Sequence, residues 1–206
     1  MALNEQNIVI QPNVGIANTN PKITFSAADA STNAKNIVLN VYPTSNGTLS
    51  FEGNAGQLFS ITDSMSGTIF SVNDISGIPS IEVLDTGLVK LAQYSGDVQI
   101  GPSTVLISEN YTTTTTNQIT LDSFPAATYR TATYEVQMTS STNYHTITLK
   151  LIHNGTTVYL AQYGEIFTNA SLGTFDATIT SGNMNLLFTP TNATTVVKLT
   201  RQLILV

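Results

Sequence analysis

The chain has 206 residues, of which 41% are hydrophobic and only 10% charged. That length allows a sizeable core, and that composition excludes charge-driven disorder, so surface polarity has to come from neutral Thr, Ser, Asn and Gln. A net charge of −6 argues against nucleic acid or an anionic membrane as partner, and the lack of Cys removes disulfides, thiol catalysis and Cys-based zinc sites.

Residues 1–45 read as short strands. Apolar alternation runs through Ile8 and Ile10, through Ile23 and Phe25, and through Ile37, Leu39 and Val41. Turn and loop signals separate them: Pro12-Asn13, Asn20-Pro21, the polar run from Ala27 to Asn33, and Pro43 to Gly47. The first eleven residues hold no basic cluster and no apolar run, so no signal peptide is expected. No stretch approaches ~18 uncharged apolar residues, so no membrane span is expected either. With three short strands and long polar loops, 1–45 has no core of its own and reads as an attachment segment that completes itself on a partner.

Residues 46–108 contain an eleven-residue repeat. Gly56-Gln57-Leu58-Phe59-Ser60-Ile61-Thr62-Asp63 matches Gly67-Thr68-Ile69-Phe70-Ser71-Val72-Asn73-Asp74. A weaker third copy places Ile81, Val83 and Asp85 in phase, and a fourth fades at Ala92 and Tyr94. Each unit is a short strand closed by Asp, polar residues and Gly. Period-2 alternation puts Phe59, Ile61, Phe70, Val72, Ile81 and Val83 on one face, with Ser60, Ser71 and Glu82 on the other. A strand this short cannot bury its apolar face alone. With three good copies, intrachain stacking is marginal, so this segment is expected to assemble between chains, and those six apolar residues are the expected oligomer interface.

Residues 109–117, dominated by Thr, read as a linker. Residues 118–206 then offer seven strand candidates, at 118–124, 129–139, 144–153, 157–167, 174–180, 184–189 and 195–206. Tyr134, Val136 and Met138 alternate with Glu135 and Gln137. Ile147, Leu149 and Leu151 alternate with Thr148 and Lys150, and Phe175, Ala177 and Ile179 with Asp176 and Thr178. Asn154-Gly155 and Ser181-Gly182-Asn183 are hairpin signals. Seven short strands at this spacing predict an antiparallel β-sandwich. The whole chain is therefore expected to be all-β, with 86–94 the one stretch that could read as helix.

The string from Gly47-Thr48-Leu49-Ser50-Phe51-Glu52-Gly53 through Phe70-Ser71-Val72-Asn73-Asp74 to Gly77-Ile78-Pro79-Ser80-Ile81 resembles a module of virion structural and tail-fibre-like proteins of tailed phages that infect cyanobacteria. The run from Tyr129-Arg130 onward, with Ile152-His153-Asn154-Gly155-Thr156-Thr157 and Phe188-Thr189-Pro190-Thr191-Asn192-Ala193, also looks like the terminal domain of such proteins. The resemblance implies a non-enzymatic virion component, surface-exposed on the particle and made in the host cytoplasm. The apolar repeat face, in a closed cyclic assembly, leads us to expect a fibre-like homotrimer, and residues 1–45, which the resemblance does not cover, are the expected contact with other virion proteins. A capsid-surface decoration protein, or a carbohydrate- or receptor-binding module, is the alternative role.

No catalytic constellation, metal site or cofactor motif is expected. Asp63, Asp74 and Asp85 supply one carboxylate per turn, which suits Asx-type turns better than a calcium ladder. His145 and His153 are about 26 Å apart along one strand, too far for one metal, and read as isolated surface or edge residues. Pairing Glu82 with Asp85, or Glu135 with Glu165, as glycosidase acids finds no support in spacing. Tyr129, Tyr134, Tyr144, Tyr159 and Tyr163 cluster in the C-terminal part. Tyr134 has core parity. Tyr159 and Tyr163 are the candidate receptor contacts, with a host-surface glycan as the candidate ligand.

Overall fold

The computed structural model describes residues 8–11 (backbone only), 20–26, 36–43, 47–94 and 96–206. It is all-β, with antiparallel sheets and no helix among the described residues. The separators at Pro12-Asn13 and Ala27 to Asn33, and most of Pro43 to Gly47, lie outside the described residues. The chain divides into two compact units, Met1–Gly96 and Asp97–Val206.

The first unit is one eight-stranded sheet whose strands follow in chain order. They are β1 (Ile8–Gln11), β2 (Lys22–Phe25), β3 (Ile37–Tyr42), β4 (Thr48–Gly53), β5 (Gly56–Thr62), β6 (Thr68–Asn73), β7 (Pro79–Leu84) and β8 (Val89–Leu91). The repeat is the period of this meander. Ser60 pairs Ser71, which pairs Glu82, so the central residue of each copy meets the central residue of the next. Reversal of strand direction swaps the flanking positions: Phe59 pairs Val72, and Ile61 pairs Phe70.

Two expectations about this half change. Residues 1–45 do not form a separate segment, because β1 to β3 extend the repeat's own sheet and Leu39 pairs Phe51 across the expected boundary. The repeat strands also find backbone partners inside the chain. The fourth copy comes early, at β8, because the Asp85-Thr86-Gly87 turn is short, with Gly87 N–H donating to Leu84 O at 2.9 Å.

The second unit is a sandwich of a six-stranded and a three-stranded sheet. Its strands are β9 (Val98–Ile100), β10 (Thr104–Thr112), β11 (Ile119–Pro125), β12 (Tyr129–Ser140), β13 (Asn143–His153), β14 (Val158–Phe167), β15 (Gly173–Thr180), β16 (Asn183–Pro190) and β17 (Val196–Leu205). The orders are β14-β13-β12-β17-β10-β9 and β11-β16-β15. Tyr134, Val136 and Met138, with Leu149 and Leu151, form the core between the sheets on the parity read from sequence, and Leu186, Phe188 and Leu203 join them.

The expected 109–117 linker is not one. Residues 109–112 belong to β10, which pairs β17 from Thr104↔Ile204 to Thr112↔Val196. Thr113 is buried, and its hydroxyl donates to Ala193 O at 2.7 Å and accepts from Thr195 N–H at 2.9 Å. Thr is β-branched and favours strands; Thr112 closes β10 and Thr113 ties its end to the core, while 114–117 lie outside the strands. The unit boundary accordingly falls at Gly96/Asp97, ahead of β9 and β10.

Candidate interaction surfaces

The eight-stranded sheet has two unlike faces. Cross-strand register sets Leu39, Phe51, Phe59, Val72, Ile81 and Leu91 in one row, and Val41, Leu49, Ile61, Phe70, Val83 and Val89 in a second row beside it. The rings of Phe51 and Phe59 stack at 4.1 Å, and Phe70 continues the ladder at 6.4 Å from Phe59. Of the six expected interface residues, Phe59, Phe70, Val72 and Val83 are half-buried, while Ile61 is 50% exposed and Ile81 36%. All six share the face assigned from alternation, and neighbouring Val89 and Leu91 are exposed with them.

The opposite face is polar, yet it is the closed one. Ser50, Ser60, Ser71 and Glu82 form a buried row. Longer polar side chains fold over it. Gln57 Nε2 donates to Ser50 Oγ at 2.8 Å, Asn73 Nδ2 to Gln57 Oε1 at 3.0 Å, and Thr68 Oγ1 to Glu82 Oε1 at 3.1 Å. The Ser60 and Ser71 hydroxyls are 3.0 Å apart. At the β3–β4 end, Tyr42 OH donates to Glu52 Oε1 at 2.5 Å and Asn40 Nδ2 to Glu52 Oε2 at 3.0 Å. That bond to Glu52, with burial second, pushes the Tyr42 phenol above its usual range. Among the described residues, hydrogen bonding thus covers the polar side of the sheet, while Ile61, Ile81, Val89 and Leu91 stay exposed on the apolar side.

The turn aspartates lace this sheet. Asp74 Oδ1 accepts the N–H groups of Ser76 at 2.8 Å and Ile78 at 3.0 Å, an Asx turn as expected. Asp85 acts further away: its Oδ2 accepts Gly67 N–H at 3.0 Å, and its own N–H donates to Gly67 O at 2.9 Å. A meander brings alternate turns to the same end of the sheet, so the two hairpin ends meet.

On the sandwich, Tyr159 and Tyr163 are 57% and 51% exposed. They pair Ile152 and Thr148, which puts both on the outer face of the six-stranded sheet. Tyr144 shares that face and is as open, but alternation alone did not single it out. With Ile166, Phe167, Gln137, Thr146 and Thr168 it lines a depression of about 400 Å³ that neither expected tyrosine reaches. The signal was present in its parity, opposite to that of Ile147 and Leu149.

The histidines are not surface residues. Both are buried at 2% exposure, because they share the inward parity of Ile147, Leu149 and Leu151. His145 Nδ1 accepts Leu172 N–H at 3.2 Å, and its Nε2 lies 3.0 Å from Glu165 Oε1. Burial pushes His145 below its ordinary pKa, outweighing the pull of Glu165 in the other direction. His153 Nδ1 accepts Gly155 N–H at 3.1 Å, and its Nε2 meets Tyr129 O at 2.7 Å.

A buried polar cluster between the two sheets went unread in the sequence. A bulge on β11 between Thr120 and Asp122 turns Asp122 inward, where it pairs with Arg201 of β17 and accepts from Tyr134 OH at 2.7 Å. Burial first, then the Asp122 charge, pushes the Tyr134 phenol far up. Arg201 also lies over the Phe124 ring at 5.3 Å.

No family model matches the chain, and no curated protein matches it. Among solved structures, 49% of the chain is similar to 26% of the tailspike protein of Acinetobacter baumannii phage AM24, at 10% identity and a TM-score of 0.29. The chain therefore spans about a quarter of that protein's length. A likeness of this size establishes neither a shared fold nor a shared role.

Proposed function

We propose that this chain is a non-enzymatic structural component of a phage particle, a fibre-like homotrimer held together by the apolar face of the eight-stranded sheet. The single observation that carries the assembly is the pair of open apolar rows on a sheet whose other face its own polar side chains close. Eight strands about 4.8 Å apart, about 20 Å long at the centre and about 10–13 Å at β1, β2 and β8, offer roughly 650 Å² per chain, somewhat under the ~800 Å² per partner of a standard interface. The short strands favour three copies. Three such faces, each about 20 Å across, enclose a triangular prism with an inner radius of about 6 Å. Half the ~10 Å spacing of packed sheets is about 5 Å, so side chains fill that space. Any attachment to other virion proteins through residues 1–45 would then use the β1 edge of that same sheet, since β1 to β3 complete themselves on the repeat. The sequence resemblance supports the virion setting, and a capsid decoration protein would use the same face.

Light scattering on the full chain tests this. The expected mass is three chains, and a folded monomer at micromolar concentration overturns the assembly. Phe70→Ser, which removes a ring that symmetry repeats in every copy, is expected to shift the mass toward monomer at a cost of about 3–5 kcal/mol per site. The melting transition of the sandwich should stay in place.

A second reading has its own observation. Exposed Tyr144, Tyr159 and Tyr163 on one outer face suit stacking against a receptor sugar. Tyr144→Ala combined with Tyr163→Ala is expected to abolish adsorption to host cells without changing oligomer mass. Unchanged adsorption removes this reading.

A further inference from the structure

We infer that the open edge of β10 is a docking slot for an extended peptide strand that carries a basic side chain. On this side the six-stranded sheet ends at β9, and β9 pairs only with Thr104, Val105 and Leu106. Residues 107–112 have β17 on one side and, among the described residues, no strand on the other. Alternate residues of an antiparallel strand turn their N–H and C=O groups to each side, so this edge presents unpaired backbone groups to a newcomer. β11, paired only with β16, is the edge of the facing sheet.

Between the two edges runs a groove of about 310 Å³, lined by Glu109 and Tyr111 of β10, Thr120, Asp122 and Ser123 of β11, and Leu199. That volume suits a few residues of extended chain. Its two carboxylates are not equivalent. Asp122 is neutralised by Arg201 and bonded to Tyr134 OH. Glu109 is exposed and has no ion-pair partner among the described residues.

That uncompensated charge selects the occupant. A second copy docking by its own β10 would bring one Glu109 toward another, and an inward charge of this kind is a usual guard against edge-to-edge pairing. A strand with Lys or Arg facing Glu109 turns the repulsion into attraction. The opposite edge strand, β14, is guarded differently. Two of its residues, Gly164 and Glu165, stand opposite Ile147 alone, a bulge that bends the edge away.

The slot is built entirely from residues of the second unit, and its test reads peptide binding and local amide exchange rather than oligomer mass. Two fluorescein-labelled hexapeptides of alternating threonine and valine, one with a central lysine and one with a central glutamate, are titrated into the full chain. The expected result is tighter binding of the lysine peptide by about threefold to tenfold, the ratio for exchanging a like-charge for an opposite-charge cross-strand pair. Amide exchange should slow within residues 107–112. Glu109→Gln is expected to keep binding but erase the preference, and Glu109→Lys to reverse it. No binding of either peptide at millimolar concentration, equal affinities for the wild-type chain, or protection that falls elsewhere overturns the proposal.

Discussion

Protonating His145 removes the acceptor that Leu172 N–H uses, and its burial holds the folded-state pKa below the ordinary value near 6.5. Below about 6.5 the unfolded chain therefore binds a proton that the folded chain refuses. The sandwich should carry this increment of stability in full above about pH 6.5 and lose it as pH falls toward the folded-state value. His145→Asn, which keeps an acceptor near the Nδ1 position, is expected to flatten the fall in urea midpoint between pH 7.5 and pH 5. An unchanged slope would mean the histidine does not titrate on unfolding. Asp122 is the other sensitive position. Asp122→Asn leaves the Arg201 guanidinium buried without a counter-charge, at an expected cost of about 3–5 kcal/mol in urea unfolding. Adding Arg201→Met should recover much of that loss, because it removes the orphaned buried charge.

At the level of elements, the meander owes its regularity to the repeat. Similar copies pair centre to centre, which sets the Ser–Ser–Glu row, while the β6–β7 irregularities and the short turn before β8 mark where the copies differ. The bulges are where elements depart from plain alternation. Gly164 has φ of 65°, so the β14 bulge needs a left-handed residue there, and an added Cβ would meet only Thr148 Oγ1 at 3.7 Å. Gly164→Ala should therefore cost backbone strain alone, about 1–2 kcal/mol. It should speed amide exchange in β14 while leaving the core strands β12 and β17 protected. Equal loosening of all three strands would show that the bulge supports the whole sheet rather than its edge.

For the whole molecule, the boundary matters more than the strand list. A fragment spanning Asp97–Val206 keeps β10, whose Val105 is buried in the core beside Leu203. A fragment starting at 118 drops β9, β10 and the Thr113 tie, exposing Val197, Leu199 and Leu203 along a newly open β17 edge. The longer fragment is expected to fold as a monomer with a sharp melting transition. The shorter one should be less stable by several kcal/mol or aggregate through that edge. Equal stability of the two would restore 109–117 as a linker.

Alternation alone determined the β class, the seven strands from β11 to β17 and the inward set headed by Tyr134, Leu149 and Phe175, because side-chain parity is a local property of an extended chain. The same parity already held the buried histidines and outward Tyr144, which residue-type expectation obscured. Repeat phase likewise put Phe59, Phe70 and Ile81 on one face. Local pattern carries no record of which strand lies beside which. Only the tertiary structure could show that residues 109–112 lie along β17, that a bulge turns Asp122 onto Arg201, and that β1 to β3 join the repeat's sheet. Each of these depends on pairing between residues distant in sequence, and the free energy of such contacts is decided by the partner rather than by the segment itself.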